Sequence, residues 1–287
     1  MKDNLSISCI LATYGRQEEV LAFITSLESQ TLPTSQFELI IVDQNSENIL
    51  DEYVAKFSSS IKIVHIRSSV KGLSTNRNIG LSYAQGAYVC FPDDDCTYYP
   101  DTLSNALEKL ISTNKQMILG AIRDRSTGEK LIKNWPDVIK TVNRWNFQRY
   151  STSITIFAKR NDLKFCEALG AGTSNGSCED LDYIYKSIKT FGPAIYFPDL
   201  DVWHPAPEIS EIPSNKVASY GRGFGKFCRI NSPDMAIASI LILTLSYHAT
   251  QFFIELTRLN IRGAKNRAIA FSSRATSFLY RDKSWNQ

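Results

Sequence analysis

Apolar positions in the first hundred residues follow two alternating patterns. Residues 7–12, 37–42, 61–66 and 87–91 are short, nearly continuous apolar runs, which predict strands buried on both faces. Between them, 18–29, 49–57 and 73–84 repeat apolar residues every three to four positions, the spacing of helices with one buried side. This alternation predicts an α/β fold with a mostly parallel sheet flanked by helices. Ligands of such sheets bind beyond the carboxyl ends of the strands. Polar residues gather there: Thr13 and Arg16 after the first run, Asp43 after the second, and Asp93, Asp94 and Asp95 after the fourth.

Further along, 117–122 and 153–158 predict two more strands. The stretch between them carries Arg123, Arg125, Lys130, Lys133, Trp135, Arg144 and Trp145 and reads as a substrate-facing insertion. A polar, Gly-rich loop over 170–177 leads into a helix over 178–191, stopped by Gly192-Pro193. After Trp203-His204-Pro205 a proline-containing linker runs to Pro213, and the remainder reads as helical. Two domains are expected, 1–205 and a basic C-terminal helical appendage, 206–287.

The net charge of +3 is too small to point to nucleic acid, but its distribution is uneven. Residues 220–287 hold ten Lys/Arg against three Asp/Glu, an excess of seven, so residues 1–219 stand at −4. A basic tail on an acidic body asks for an anionic partner. The apolar run 236–247 is twelve residues long, too short and too soon followed by His248 and Gln251 to span a bilayer. Arg258, Arg262 and Lys265 then recur opposite Phe253, Leu256 and Ile261, a pattern suited to the headgroup region of an anionic membrane. Packing on the catalytic domain or an oligomer contact is the alternative. The six cysteines form no C-x-x-C pair and read as free thiols of a reducing compartment. The first residues lead into a strand pattern without a signal-peptide core, so a cytoplasmic location is expected.

Three adjacent carboxylates repel one another, and a divalent cation is the usual reason to gather them; a solvated acidic turn is the other. Asp93 and Asp95 are alternate residues and face one way, so both reach one ion, directly or through water. Thr13 and Arg16 sit at a strand-to-helix junction suited to phosphate, where Thr13 serves equally as a helix cap. Asp43 is placed to accept from a nucleobase imide or ribose hydroxyl, or to bond its own turn. Arg77 suits phosphate recognition or simple surface exposure. Glu179-Asp180 form either the acidic first turn of a capped helix, with Ser177 as cap, or an acceptor-side pair behind the Gly-rich loop. His204 is a metal or phosphate contact, or merely packed. Trp135 and Trp145 stack on a sugar or fill the core.

Taken in order, Thr13…Arg16, Val42-Asp43, Lys71-Gly72…Asn76-Arg77-Asn78…Gly80, Asp93-Asp94-Asp95…Pro100-Asp101, Glu179-Asp180 and His204 resemble an inverting family 2 glycosyltransferase of the GT-A fold, of the kind that builds bacterial surface polysaccharides. The resemblance covers roughly the first two-thirds of the chain. It implies Mn²⁺ or Mg²⁺ held mainly by Asp95, with Asp93 on the ribose or the metal's waters and Asp94 as the other possible second contact. His204 joins the metal or phosphate. Thr13, Arg16, Asp43 and Arg77 bind the donor. Asp43 marks the uracil-reading position, where the following residue is often acidic and here is Gln44. Leu169-Gly170-Ala171-Gly172 matches the acceptor loop and Asp180 the general base, with Glu179 and Asp182 as neighbours; Gly172, Glu179 and Trp135 are assigned to the acceptor side. The implied partners are a UDP-linked sugar donor and a glycan acceptor, lipid-linked at the cytoplasmic face of the inner membrane. Two rivals stand beside this reading. Nucleotidyl transfer to a sugar phosphate would favour a Gly-rich basic loop where Ala12-Thr13-Tyr14-Gly15-Arg16 stands. A non-catalytic sugar-nucleotide binder would not need both Asp95 and Asp180.

Overall fold

A computed structural model describes residues 5–206 and 212–280. The chain divides into two compact units, 1–165 with 183–208, and 166–182 with 209–287.

The first unit is built on strands β1 (Ile7–Thr13), β2 (Phe37–Asp43), β3 (Lys62–Arg67) and β4 (Tyr88–Cys90), joined through helices α1 (Glu18–Glu28), α2 (Asp51–Phe57) and α3 (Leu73–Tyr83). These four strands run parallel in the order β3-β2-β1-β4. Every residue of β1 and β2 is buried, which accounts for their continuous apolar sequence. The register sets Thr13 opposite Asp43, and Asp43 opposite Arg67, so three polar strand ends lie level.

Two polar residues interrupt the apolar strands and satisfy each other. Ser8 donates to Glu38 Oε1 at 2.7 Å, Gln85 N–H donates to the same oxygen at 2.7 Å, and Lys62 Nζ lies 2.8 Å from Oε2. A buried carboxylate is tolerated only with such partners.

Beyond β4 come β5 (Thr97–Tyr98), α4 (Thr102–Thr113), β6 (Met117–Asp124), β7 (Glu129–Lys130), β8 (Lys140–Val142), β9 (Ile156–Lys159), α5 (Glu179–Phe191) and β10 (Ala194–Trp203). The sheet continues β4-β9-β6-β10-β5, with β9 antiparallel to both neighbours and β10 parallel to β6. The parallel part expected from the sequence, β3-β2-β1-β4, thus continues into a mixed part in which β9 and β5 run antiparallel to their neighbours. Apolar runs report burial and carry no information about strand direction. The β6–β10 register shifts between Tyr196 and Asp201, beside Gly120. A Cβ on Gly120 would lie 2.0 Å from the Leu200 carbonyl oxygen, so only glycine fits there.

Several cations of the stretch between β6 and β9 are engaged by the protein itself, while Arg144 is exposed beside Trp145. Arg123 and Lys130 pair with Asp137 at 2.6 and 2.7 Å, and Arg125 pairs with Asp101 and Asp201 at 2.6 Å each while lying over the Tyr99 ring. Lys133 donates to the Ser151 carbonyl. Trp135 is completely buried, donates its indole N–H to the Leu131 carbonyl at 2.8 Å and stacks on Tyr196. It fills core, with no surface for an acceptor. Trp145 is 52% exposed.

The second unit contains α6 (Ser214–Ile230), α7 (Met235–Thr257) and α8 (Ile261–Leu279). Of the linker expected up to Pro213, residues 207–211 lie outside the described residues. Asp234 caps α7 by accepting from Ala236 N–H, and Asn260 caps α8 by accepting from Gly263 N–H. The apolar run that looked too short belongs to a 23-residue helix, long and apolar enough by length and composition to cross a membrane. His248 and Gln251 do not end it, because His248 turns inward and is buried. Three glycines strip α6 of side chains on two sides. A Cβ on Gly221 would meet Ser273 Oγ at 1.9 Å, one on Gly225 the Arg274 carbonyl at 2.3 Å, and one on Gly223 the Ser177 backbone nitrogen at 2.9 Å.

All six cysteines are free thiols, and Cys9, Cys90, Cys96 and Cys228 are buried.

Candidate functional site

The triplet Asp93–Asp95 follows β4 at the carboxyl edge of the parallel strands, and each carboxylate has its own partners. Thr13, the last residue of β1, donates to Asp94 Oδ2 at 2.8 Å. Arg16 reaches across the same loop, with Nε 3.3 Å from Asp94 and Nη1 2.6 Å from Asp95. Arg77, on α3, is completely buried and donates to Asp93 Oδ1 at 2.5 Å, with its guanidinium over the Phe165 ring. Ser153 Oγ lies 3.4 Å from the same oxygen. Arg77 is thus neither at the surface nor open to a phosphate. Its charge is committed to orienting Asp93.

The triplet divides electrostatically. Burial pushes the Asp94 carboxyl up, and repulsion from Asp93 and Asp95 adds to that against the bond from Thr13 and the charge of Arg16. Burial opposes ionisation of Asp95 as well, but hydrogen bonds from His204 and Arg16 overcome it and hold the group at about 2. Asp95 is therefore ionised more firmly than Asp94.

His204 stands one residue beyond β10, with Nε2 3.3 Å from Asp95 Oδ1 and Nδ1 2.8 Å from the Pro205 carbonyl. Burial lowers its pKa, and the bonds to Asp95 and Pro205 more than reverse that. A carbonyl that holds Nδ1–H leaves Nε2 as the ligating nitrogen, the usual outer-shell arrangement of metal-bound histidine. Ligand atoms of Asp93, Asp95 and His204 lie within 4.8 Å of one another. Two carboxylates and an imidazole fit a divalent ion, Mn²⁺ better than Mg²⁺, which prefers an all-oxygen shell.

Asp43 has no accessible surface. Its Oδ1 accepts from Asn45 N–H and Nδ2, both at 2.8 Å, and its Oδ2 lies 3.1 Å from His65 Nε2. The turn-bonding use of Asp43 is the one present. Gln44 ties strand ends together, donating to Thr13 O at 3.2 Å and accepting from Gly72 N–H at 3.0 Å. Lys71 donates to Gln44 O and lies 3.5 Å from the centre of the exposed Tyr14 ring. Asn45, His65 and Ser153 were not singled out from the sequence; of these only His65, a histidine in an apolar strand, offered a signal, whereas Lys71 belonged to the motif already noted.

Gly172, Glu179, Asp180 and Asp182 belong to the second unit. Gly170 and Gly172 adopt positive φ of 99° and 86°, which a side chain would resist. The helix begins at Glu179, and Ser177 Oγ donates to the Tyr220 carbonyl at 3.1 Å. Asp182 is buried and accepts from Asn231 Nδ2 at 2.8 Å, which fixes the helix start against α6. Asp180 is partly exposed, with Oδ1 accepting from Leu181 N–H at 2.6 Å.

A mixed α/β sheet flanked by helices, with acidic residues beyond its parallel strands and C-terminal helices, defines a GT-A type protein. The chain belongs to glycosyl transferase family 2, whose family model matches residues 8–180. Staphylococcus aureus TarS, a poly(ribitol-phosphate) β-N-acetylglucosaminyltransferase, is 25% identical over 58% of this chain and 30% of its own length. Escherichia coli WfgD, a UDP-Glc:α-D-GlcNAc-diphosphoundecaprenol β-1,3-glucosyltransferase, is 26% identical over 41% of this chain and 46% of its own. The chain thus spans less than half of either relative. Among solved structures, TarS 1–349 in complex with UDP-GlcNAc superposes with a TM-score of 0.63 at 16% identity, over 96% of this chain and 91% of that one. The mannosyltransferase PcManGT of Pyrobaculum calidifontis, in complex with GDP-Man and Mn²⁺, superposes with a TM-score of 0.64 at 16% identity, over 96% and 87%.

Proposed function

We propose that this chain transfers a sugar, with inversion, from a UDP-linked donor to a hydroxyl of a glycan acceptor in surface polysaccharide synthesis. The observation that carries this is the convergence of Asp93, Asp95 and His204 at the carboxyl edge of the parallel strands in a family 2 chain. A divalent ion at these residues would neutralise the diphosphate and the charge that develops as it leaves. Arg77 holds Asp93 in place, and the Pro205 carbonyl holds His204. Arg16, half-exposed and bridging Asp94 and Asp95, supplies a guanidinium that a donor phosphate competes for. Asp180 accepts the acceptor hydroxyl's proton as that oxygen attacks the anomeric carbon, and Gly172 and Glu179 line the acceptor side. Inversion needs a base and a stabilised leaving group, without the two flanking carboxylates of a glycosidase. Both relatives named above carry β-transfer in their names, the product of inversion at an α-linked donor.

The acceptor is lipid-linked, and the protein works at the cytoplasmic face of the inner membrane. Ile242, Leu243 and Phe253 of α7 are each more than 60% exposed, and the helical unit carries nine Lys/Arg against Asp234 and Glu255 over 212–280. An exposed apolar helix in a unit with a cationic excess suits peripheral contact with anionic lipid. The deciding experiment incubates the protein with a panel of nucleotide sugars, with and without Mn²⁺. Release of the nucleoside diphosphate from one donor supports the reading; an unchanged panel under both conditions removes it.

A further inference from the structure

The helical unit encloses a cavity of about 360 Å³, within the size range of ligand pockets. Tyr220 of α6, His248 of α7, and Arg262, Asn266, Arg267 and Arg274 of α8 contribute to its walls. Glu255, the one acidic residue among the described lining, accepts from Asn260 Nδ2 at 2.8 Å. Three guanidinium groups therefore face a space with one carboxylate.

Two buried polar atoms there lack partners among the described residues. His248 is 8% exposed, and its Nδ1 makes no hydrogen bond. Arg274 donates from Nη1 to the Ala270 carbonyl at 2.8 Å, while its buried Nε makes none. Unsatisfied buried polar groups are expensive unless a ligand completes them. The local field agrees: burial and then the charges of Arg274 and Arg267 hold the His248 imidazole down to about 4. Burial likewise lowers the Arg274 guanidinium, with Arg267 adding to it against the opposing influence of Cys178 and Cys228.

Beside this cavity lies an apolar groove of about 210 Å³, walled by Ala249, Phe252, Phe253 and Phe271, and His248 and Arg267 line both. A charged chamber and a greasy slot share two residues. We propose that the cavity binds a phosphate or diphosphate group and that the groove takes the hydrocarbon attached to it. Arginine forks match phosphate oxygens bidentately. Aromatic walls suit an alkyl or prenyl chain. The site is separate from the nucleotide-sugar reading and stands whether or not a sugar is transferred.

The test uses the full chain without any sugar donor. Calorimetry with inorganic diphosphate is run beside flotation with phosphatidylcholine vesicles containing phosphatidic acid, and with plain phosphatidylcholine vesicles. Arg267→Gln is expected to weaken diphosphate or phosphatidic acid binding at least tenfold, while Arg258→Gln, outside the cavity, changes it less than twofold. The His248 imidazole should titrate closer to the ordinary histidine range once diphosphate is bound. Phosphatidic acid binding tenfold tighter than diphosphate upholds both cavity and groove; equal binding keeps the cavity as a phosphate site and overturns the role of the groove. No binding beyond plain vesicles, or equal losses in the two variants, overturns the site.

Discussion

Arg77 Nη2 lies 2.5 Å from Asp93 Oδ1, and the arginine has no accessible surface while the aspartate side chain keeps about a third of its own (34%). A fixed cation beneath a half-open anion sets the direction of the first residue of the triplet before any ligand arrives.

Replacing Arg77 with Met should leave Asp93 without its main partner and lower stability by about 2–3 kcal/mol, less than for a wholly buried pair because water reaches the carboxylate. Urea denaturation measures this. Lys should not restore wild-type behaviour, because an ammonium cannot reproduce the guanidinium fork.

Asp95→Asn removes the carboxylate that His204 and Arg16 hold at about 2. Mn²⁺ binding, followed by calorimetry, should weaken by about 100-fold, and EDTA should abolish transfer by the wild-type protein. Activity indifferent to EDTA would remove the metal from the mechanism.

Asp180→Asn keeps the shape of the side chain and removes its basicity. Transfer should fall by about 10²–10⁴ with the donor dissociation constant unchanged. Retained activity would reassign the base.

Glu38 gives a pH signature. Burial disfavours its charge, yet bonds from Lys62, Gln85 N–H and Ser8 outweigh that and lower its pKa below the usual 4.5. A depressed folded pKa means that the stabilisation is fully present above the unfolded value and is lost as pH falls through the folded one. Denaturation midpoints should therefore drop as pH falls from about 5 towards 3. Glu38→Gln should flatten that limb.

Replacing Ile242 and Leu243 together by Asp should abolish flotation of the protein with vesicles containing anionic lipid while preserving its helical circular dichroism. Unchanged flotation would place the membrane contact elsewhere.

What could be read from the chain follows from what hydrophobic pattern reports. β1 and β2 were legible because both faces are covered and most positions are therefore apolar; the half-buried β3 was legible from its Ile-Val core alone. Their ends were legible because polar residues resume there. α3 was legible as a helix, yet Ser74, Asn76, Arg77, Asn78 and Gly80 are its buried residues. Asn76 donates to the Val70 and Gly72 carbonyls, and Asn78 exchanges two bonds with the Phe165 backbone. A polar face buried through specific partners looks, in sequence, like a solvated one. Trp135 was misplaced for the matching reason: a residue type suited to a ligand suits an internal partner equally well. Direction is likewise invisible, so nothing distinguished antiparallel β9 from its parallel neighbours. The reach of α7 was missed because His248 is polar by type and buried by place.

Gly221 and Gly225 lie one turn apart on α6 against α8, and Gly223 faces the other way, against Ser177. Side chains normally act as springs between packed helices, changing rotamer to absorb small displacements. α6 has none at these contacts: any Cβ added at Gly221, Gly223 or Gly225 would drive α8 or the Ser177 segment, three residues before Asp180, out of place.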